Sequence, residues 1–309
     1  MADHHTHGPA QNADPRWLAG ALGLIVAYMG GEIVAGLVAH SLALISDAGH
    51  MLTDAAALAL VLITMRLAAR PPRGGYTFGL KRAEILSAQA NGITLVLLAA
   101  WLAYEAIRRL ITPPPVQGGV VLGVALAGIC VNVAATLMIA RAGGRQSLNV
   151  SGAFAHILTD LYAFIATAIA GLVVLAAGFD RADPIATLVI VALMLRAGYG
   201  LLRDSGRIFL EAAPSELDPA AIGTAMAARP CVSEVHDLHI WEITSGSVAA
   251  SAHVLVFSGE NCHAVRADLE EVLAHEYGIT HTTLQVDHAK PRDTPAEHCE
   301  DSHGPSYRP

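Results

Sequence analysis

Charge is scarce in this sequence. Only 15% of its 309 residues are Asp, Glu, Lys or Arg, against about 25% in an ordinary soluble domain. Cysteine is scarce too. Cys130, Cys231, Cys262 and Cys299 form no C-x-x-C pair, which argues against a disulfide framework and fits soluble parts in a reducing compartment. There is no H-E-x-x-H, the usual zinc-protease pattern, and no nucleophilic Ser or Cys beside a base. An enzyme is not expected. The net charge of -8 gives no electrostatic case for nucleic acid. The stretch "MADHHTHGPAQNADPRW" lacks a basic region followed by an apolar core, so no cleaved signal peptide is expected.

Apolar residues fill the space that charge leaves. They make up 53% of the chain, and the mean hydropathy is +0.47. That composition points to a membrane protein. A spanning helix needs about 20 mostly apolar residues. Six segments meet this: Trp17 to Ala39, Leu42 to Leu67, Ile85 to Ile107, Val120 to Ala140, Val150 to Ala177 and Pro184 to Leu202. Proline- and glycine-rich stretches such as "ARPPRGGYTFGLKR" and "TPPPVQGG" separate them. Loops on the side holding both termini carry Arg16, Arg66, Arg70, Arg73, Lys81, Arg82, Arg141, Arg145, Arg203 and Arg207. The other side carries Arg108, Arg109 and Arg181. By the positive-inside rule, both termini are predicted to be cytoplasmic. Short loops and no targeting peptide lean towards a bacterial inner membrane.

The composition changes after Glu211. "VHDLHIWEI" and "SVAASAHVLVF" alternate as strands do, and "HTTLQVD" reads as a third strand. "ELDPAAIGTAMAARP" and "CHAVRADLEEVLAHEYG" read as helices. The order α-β-β-α-β predicts a small cytosolic α+β domain with helices on one face of a sheet. The expected organisation is a His-containing tail over 1–16, a six-helix transmembrane domain over 17–210, the α+β domain over 211–292 and a disordered tail over 293–309.

Within the apolar spans one pattern occurs twice. "HMLTD" begins at His50 in the second span, and "HILTD" begins at His156 in the fifth. His50 and Asp54 stand at i and i+4, as do His156 and Asp160, so each pair shares a helix face. Ionisable groups at this depth cost about 2.5–3.5 kcal/mol each on insertion scales. Both pairs should therefore face inward, and together they make a set of two imidazoles and two carboxylates. Tetrahedral coordination by such donors suits zinc. The lack of thiolate disfavours copper(I), and the two His weaken a magnesium or calcium reading. Asp47, three residues before His50, and Glu32 in the first span are candidates for an ion or proton path. Asn91 and Asn132 read as interhelical hydrogen bonders.

"SLALISDAGHMLTDAAALAL", "GAFAHILTD", six spans and a tail with "VHDLHIW" resemble the cation diffusion facilitator family of zinc transporters. The resemblance runs from about Trp17 to His288. It implies a homodimer that exports divalent metal from the cytosol in exchange for protons by alternating access. Zinc would be the cargo, cadmium or cobalt possible extras, and no organic cofactor is involved. It makes His50, Asp54, His156 and Asp160 the transport site. It also implies a ferredoxin-like, metallochaperone-like tail that binds regulatory zinc through His236, His253, His263 and Asp287, with His239 a further candidate.

Two departures stand out. Some relatives bind metal around an F-G-H-G segment between spans two and three. Here "YTFGLKRAE" places Tyr76 and Leu80 where the His residues would be, so no metal is expected in that loop. Gln285 stands where some relatives have a His just before the Asp, which leaves the tail site weaker or incomplete. The family's charge interlock maps onto Arg82 and Glu211. A receptor that binds zinc without moving it would show the same tail but has no need of paired ligands at membrane depth.

Overall fold

The computed structural model describes residues 14–38, 42–113, 118–143, 148–179, 181–289 and 304–309. Within the helices, the side chains at 32, 35–38, 42–50, 53, 54, 118, 120 and 149 lie outside the described set. The chain forms two compact units, Met1–Gly206 and Arg207–Pro309.

The first unit is helical. Its elements are α1 (Pro15–Val38), α2 (Leu42–Ala68), α3 (Ala83–Ile111), α4 (Gly118–Ala142), α5 (Leu148–Ala177) and α6 (Ala182–Phe209), the last running into the second unit. Among the described residues, Ala83–Ile111, Val121–Ala142, Val150–Ala177 and Ala182–Phe209 are long and apolar enough to cross a membrane. Ala55–Ala68 is a shorter apolar stretch. Leu97, Trp101, Ile169 and Leu175 point outward from these helices and are exposed, as lipid-facing residues are.

The helices run past the expected spans at their charged ends. In α3, Arg109 Nε donates to Glu105 Oε1 at 3.0 Å, an i,i+4 pair that supports one more turn beyond Ile107. α5 packs on α4, α3 and α2, and α1 packs on α2 and α4. One apolar cluster joins Leu18 and Ile25 of α1, Met51, Ala55 and Leu58 of α2, Ile139 of α4, and Ala153 and Ile157 of α5. A second joins Leu95 and Ala99 of α3 to Ile190, Met194 and Leu201 of α6. Where α4 packs on α5, Gly128 meets the Phe164 ring, and a Cβ there would overlap ring atoms.

The second unit contains α7 (Pro219–Ala227), β1 (Val232–Thr244), β2 (Ser247–Val256), α8 (Cys262–Tyr277) and β3 (His281–His288), in the α-β-β-α-β order read from the sequence. β1 pairs antiparallel with β2. α8 then carries the chain back so that β3 lies parallel to β2. The helix starts are capped. Asp218 accepts from Ala220 N–H at 2.9 Å ahead of Pro219, and Asn261 accepts from His263 and Ala264 N–H. Each cap satisfies donors a helix start leaves open. Ile222 and Met226 of α7 and Leu269 and Leu273 of α8 cover Val235, Val254 and Leu284 on one face of the sheet.

Arg229, just beyond α7, staples to Asp268 of α8, with Nε 2.8 Å from Oδ2. The Arg229 guanidinium holds the Asp268 carboxyl below its ordinary range. A depressed carboxylate stabilises above its unfolded pKa of about 4 and loses that contribution as pH falls. Asp268→Asn is therefore expected to lower the melting temperature of the chain slightly at pH 7. The difference from wild type should begin to shrink as pH falls below about 4 and vanish only once the lowered Asp268 carboxyl is itself protonated, as read by thermal scans across pH.

A disordered tail was expected over 293–309; residues 293–303 of it lie outside the described residues, and within the rest Tyr307 bridges to Val235 of β1. The low apolar content of the stretch concealed it. A single aromatic at its end reaches a core that local composition does not register.

Candidate metal centres

α5 carries the ionisable pair of the fifth expected span. His156 is 3% exposed, and its Nε2 lies 3.8 Å from Asp160 Oδ2. Helical spacing alone produces this meeting, since i and i+4 stack on one face. Between them Ile157 points into the apolar cluster shared with α2, and Thr159 Oγ1 returns a hydrogen bond to Ala155 O at 2.7 Å. The side chains of His50 and Asp54 lie outside the described residues. Their backbone positions are one residue ahead of Met51 and Ala55, which share that apolar cluster with Ala153 and Ile157. The sequence pattern left open whether the second and fifth spans pack together. α2 and α5 do pack together. Glu32 lies on α1 and Asp47 on α2, and their side chains are also outside the described residues.

The asparagines depart from expectation. Asn132 Nδ2 donates to Gly128 O of its own helix at 3.2 Å, not across helices. Asn91 and Ser87, one turn apart on α3, are 5% and 2% exposed. Neither Asn91 Nδ2 nor Ser87 Oγ has a hydrogen-bond partner among the described residues. Periodicity reports which face is buried, not what waits on the other side.

In the second unit the strand register builds a row. His236 of β1 stands opposite His253 of β2, and His253 stands beside Gln285 of β3. The His236 and His253 rings meet edge to face with centroids 5.5 Å apart. A register shift follows His236, and Asp237 adopts φ 53, a left-handed conformation that Asp tolerates better than most residues. The bulge turns the Asp237 carboxylate between two imidazoles. Its Oδ1 is 2.9 Å from His239 Nε2, and its Oδ2 is 3.8 Å from His253 Nε2. Gln285 Nε2 donates to Asp287 Oδ2 at 3.0 Å, so an amide engages a carboxylate oxygen beside His253.

His236, His239 and His253 are thus brought together. His263 sits in the first turn of α8, exposed, and its ring makes no hydrogen bond or ion pair among the described residues. No three His, Cys, Asp or Glu among the described residues are already arranged to hold a metal ion. Asp237 and Glu234 were not singled out from sequence. Glu234 and His236 are two apart on a strand, a spacing that shares a face and could have pointed to Glu234. The bulge that aims Asp237 has no local signature.

The loop between α2 and α3 is a run of turns closed by an Arg73–Tyr76 bridge, with Tyr76 and Phe78 exposed. Arg82 begins α3 in the first unit. Glu211, in the left-handed region with φ 55, follows α6 in the second.

A bundle of long apolar helices with a buried imidazole beside a carboxylate, followed by a small α+β unit, is the architecture of a membrane cation carrier. The chain matches the cation efflux transmembrane domain over residues 18–210 and the cation efflux protein cytoplasmic domain over 214–289. It belongs to the cation efflux family. It is 35% identical over 292 residues to the cadmium, cobalt and zinc/H(+)-K(+) antiporter of Bacillus velezensis, covering 92% of each chain. It is 35% identical over 292 residues to the zinc transporter ZitB of Escherichia coli, covering 93% of each. The metal-bound C-terminal domain of the CzcD transporter from Cupriavidus metallidurans is 36% identical, over 23% of this chain and 99% of that one, with a TM-score of 0.22.

Proposed function

We propose that this protein exports zinc from the cytosol in exchange for protons, working by alternating access as a homodimer with six spans and both termini in the cytoplasm. The observation that carries the reading is the buried His156 facing the half-buried Asp160 on a helix packed against α2, whose sequence repeats the same H-x-L-T-D. His50, Asp54, His156 and Asp160 would supply two nitrogens and two oxygens to the ion, a donor set that suits zinc. The names of the relatives, which include zinc, cadmium and cobalt, support divalent metal as cargo.

Zinc binds neutral imidazole and ionised carboxylate, so it competes with protons for the same atoms. An unperturbed imidazole titrates near pH 6.5, where a modest gradient decides occupancy. Facing outward, protonation of the His pair releases the metal. Facing inward, zinc displaces those protons. The paired carboxylates supply the charge that draws the ion into an apolar bundle, and Asp47 and Glu32 would serve as an ion or proton path.

The second unit would bind regulatory zinc. His236, His239, His253 and Asp287 are of the donor types zinc takes, and Asp237 lies among them. A metal there would draw in donors that are near one another but not yet converged, and so bias the carrier.

The test uses purified full-length protein in liposomes with a zinc indicator inside. Zinc entry should depend on an imposed pH gradient, and cadmium or cobalt should compete with it. Zinc flux that persists unchanged when the gradient is collapsed would sink the exchange mechanism. No flux of any of these metals would sink the transport reading.

A further inference from the structure

The last described residues, 304–309, return to the second unit and close the outer edge of β1. Tyr307 N–H donates to Val235 O at 2.7 Å, and Val235 N–H donates to Tyr307 O at 2.9 Å. The Tyr307 ring packs against the apolar core over Gly223, where a Cβ would overlap it. Backbone pairing and a seated ring fix the residue that follows.

That residue is Arg308. Its Nε and Nη2 each lie 2.9 Å from Glu234 Oε2. Glu234 is 6% exposed, and a carboxylate so far out of water needs a cation or several donors beside it. Arg308 provides both charge and donors. With Oε2 held, Oε1 faces His236 Nδ1 at 3.4 Å. That is an ion-pair distance rather than a good hydrogen bond, close enough for a small ring rotation to make the bond. A carboxylate on one imidazole nitrogen fixes the ring's orientation and strengthens the other nitrogen as a metal donor.

Resting on the reading of His236 as a zinc ligand, we infer that Arg308 and Glu234 are positioning residues for it. The C-terminal strap holds Glu234, and Glu234 orients His236 so that Nε2 is presented to the metal. Neither residue is itself a ligand. Strap docking and zinc binding then reinforce one another by the same factor.

The test uses the full chain in detergent carrying Asp160→Ala, which removes a proposed transport ligand and lets the second unit's site dominate. Zinc affinity is measured by competition with a chromogenic chelator. Hydrogen exchange at the Val235 amide reports whether the strap is docked. Arg308→Ala should weaken zinc binding about tenfold, the lower end for loss of an outer partner. Arg308→Lys, which keeps the charge, should lose less. Added to His236→Ala, Arg308→Ala should change nothing further. Zinc should also slow Val235 exchange in the parent but not in Arg308→Ala. If His236→Ala loses the site while Arg308→Ala binds zinc like the parent, the relay is wrong. If His236→Ala itself leaves affinity unchanged, the metal reading of the histidines fails first and the inference falls with it.

Discussion

Asp160→Ala and His156→Ala are each expected to cut gradient-driven zinc entry into liposomes by at least about 100-fold. Loss of an outer-shell partner of a metal typically costs 10–100-fold, and these residues are proposed to touch the ion itself. The same variants should keep or gain thermal stability. His156 is 3% exposed among apolar neighbours, and an ionisable group in a membrane helix costs about 2.5–3.5 kcal/mol on insertion scales. Removing it relieves that cost. The two measurements together separate function from structure. Lost transport with an unchanged or raised melting temperature marks a ligand. Transport at the wild-type rate in either variant would remove that residue from the site. A large drop in melting temperature would make the pair a packing device. Asp160→Asn sharpens the comparison, since it keeps the shape and removes the charge that draws the ion in.

Gly128→Leu is expected to destabilise the helical unit by roughly 1–3 kcal/mol, the usual range for overpacking a filled site. The reason is local. A Cβ at Gly128 would overlap the ring of Phe164, so α4 and α5 must separate or the ring must leave. Phe164 stands four residues after Asp160 on the same stripe of α5. Pushing the ring therefore tilts the segment that carries the ionisable pair, and transport should fall along with stability. Phe164→Ala alone leaves a void, but in the double variant the new leucine fills it. Thermal unfolding of the four members of the cycle should give a favourable coupling of about 1 kcal/mol or more, as contacting residues do. Strictly additive effects would show that the two residues do not meet.

Much of this was legible beforehand because it is local. The alternation in "SVAASAHVLVF" places Val254 and Val256 on one face and His253 on the other, and β2 has that pattern. The i,i+4 spacing of His156 and Asp160 puts them together in any helix. The residue types named zinc-compatible chemistry before a distance was known. The row of His236, His253 and Gln285 was only half legible. Motif matching pointed to each residue, but strand register aligned them, and register depends on bulges such as the one at Asp237. His263 fell on a matching position too, yet its ring makes no hydrogen bond or ion pair among the described residues.

Residue order alone determined the helices, the strands, the H-x-L-T-D pairs and the chemistry they can support. Those depend on period and side-chain type, and period acts over a few residues. Only the tertiary structure decided that α2 packs on α5, that Gly128 must stay small beneath Phe164, and that the chain's end returns to Glu234 from 74 residues away. Such contacts form because burying an aromatic ring and satisfying a buried carboxylate outweigh the entropy of closing a long loop, a cost that grows only slowly with length. No local pattern encodes that balance.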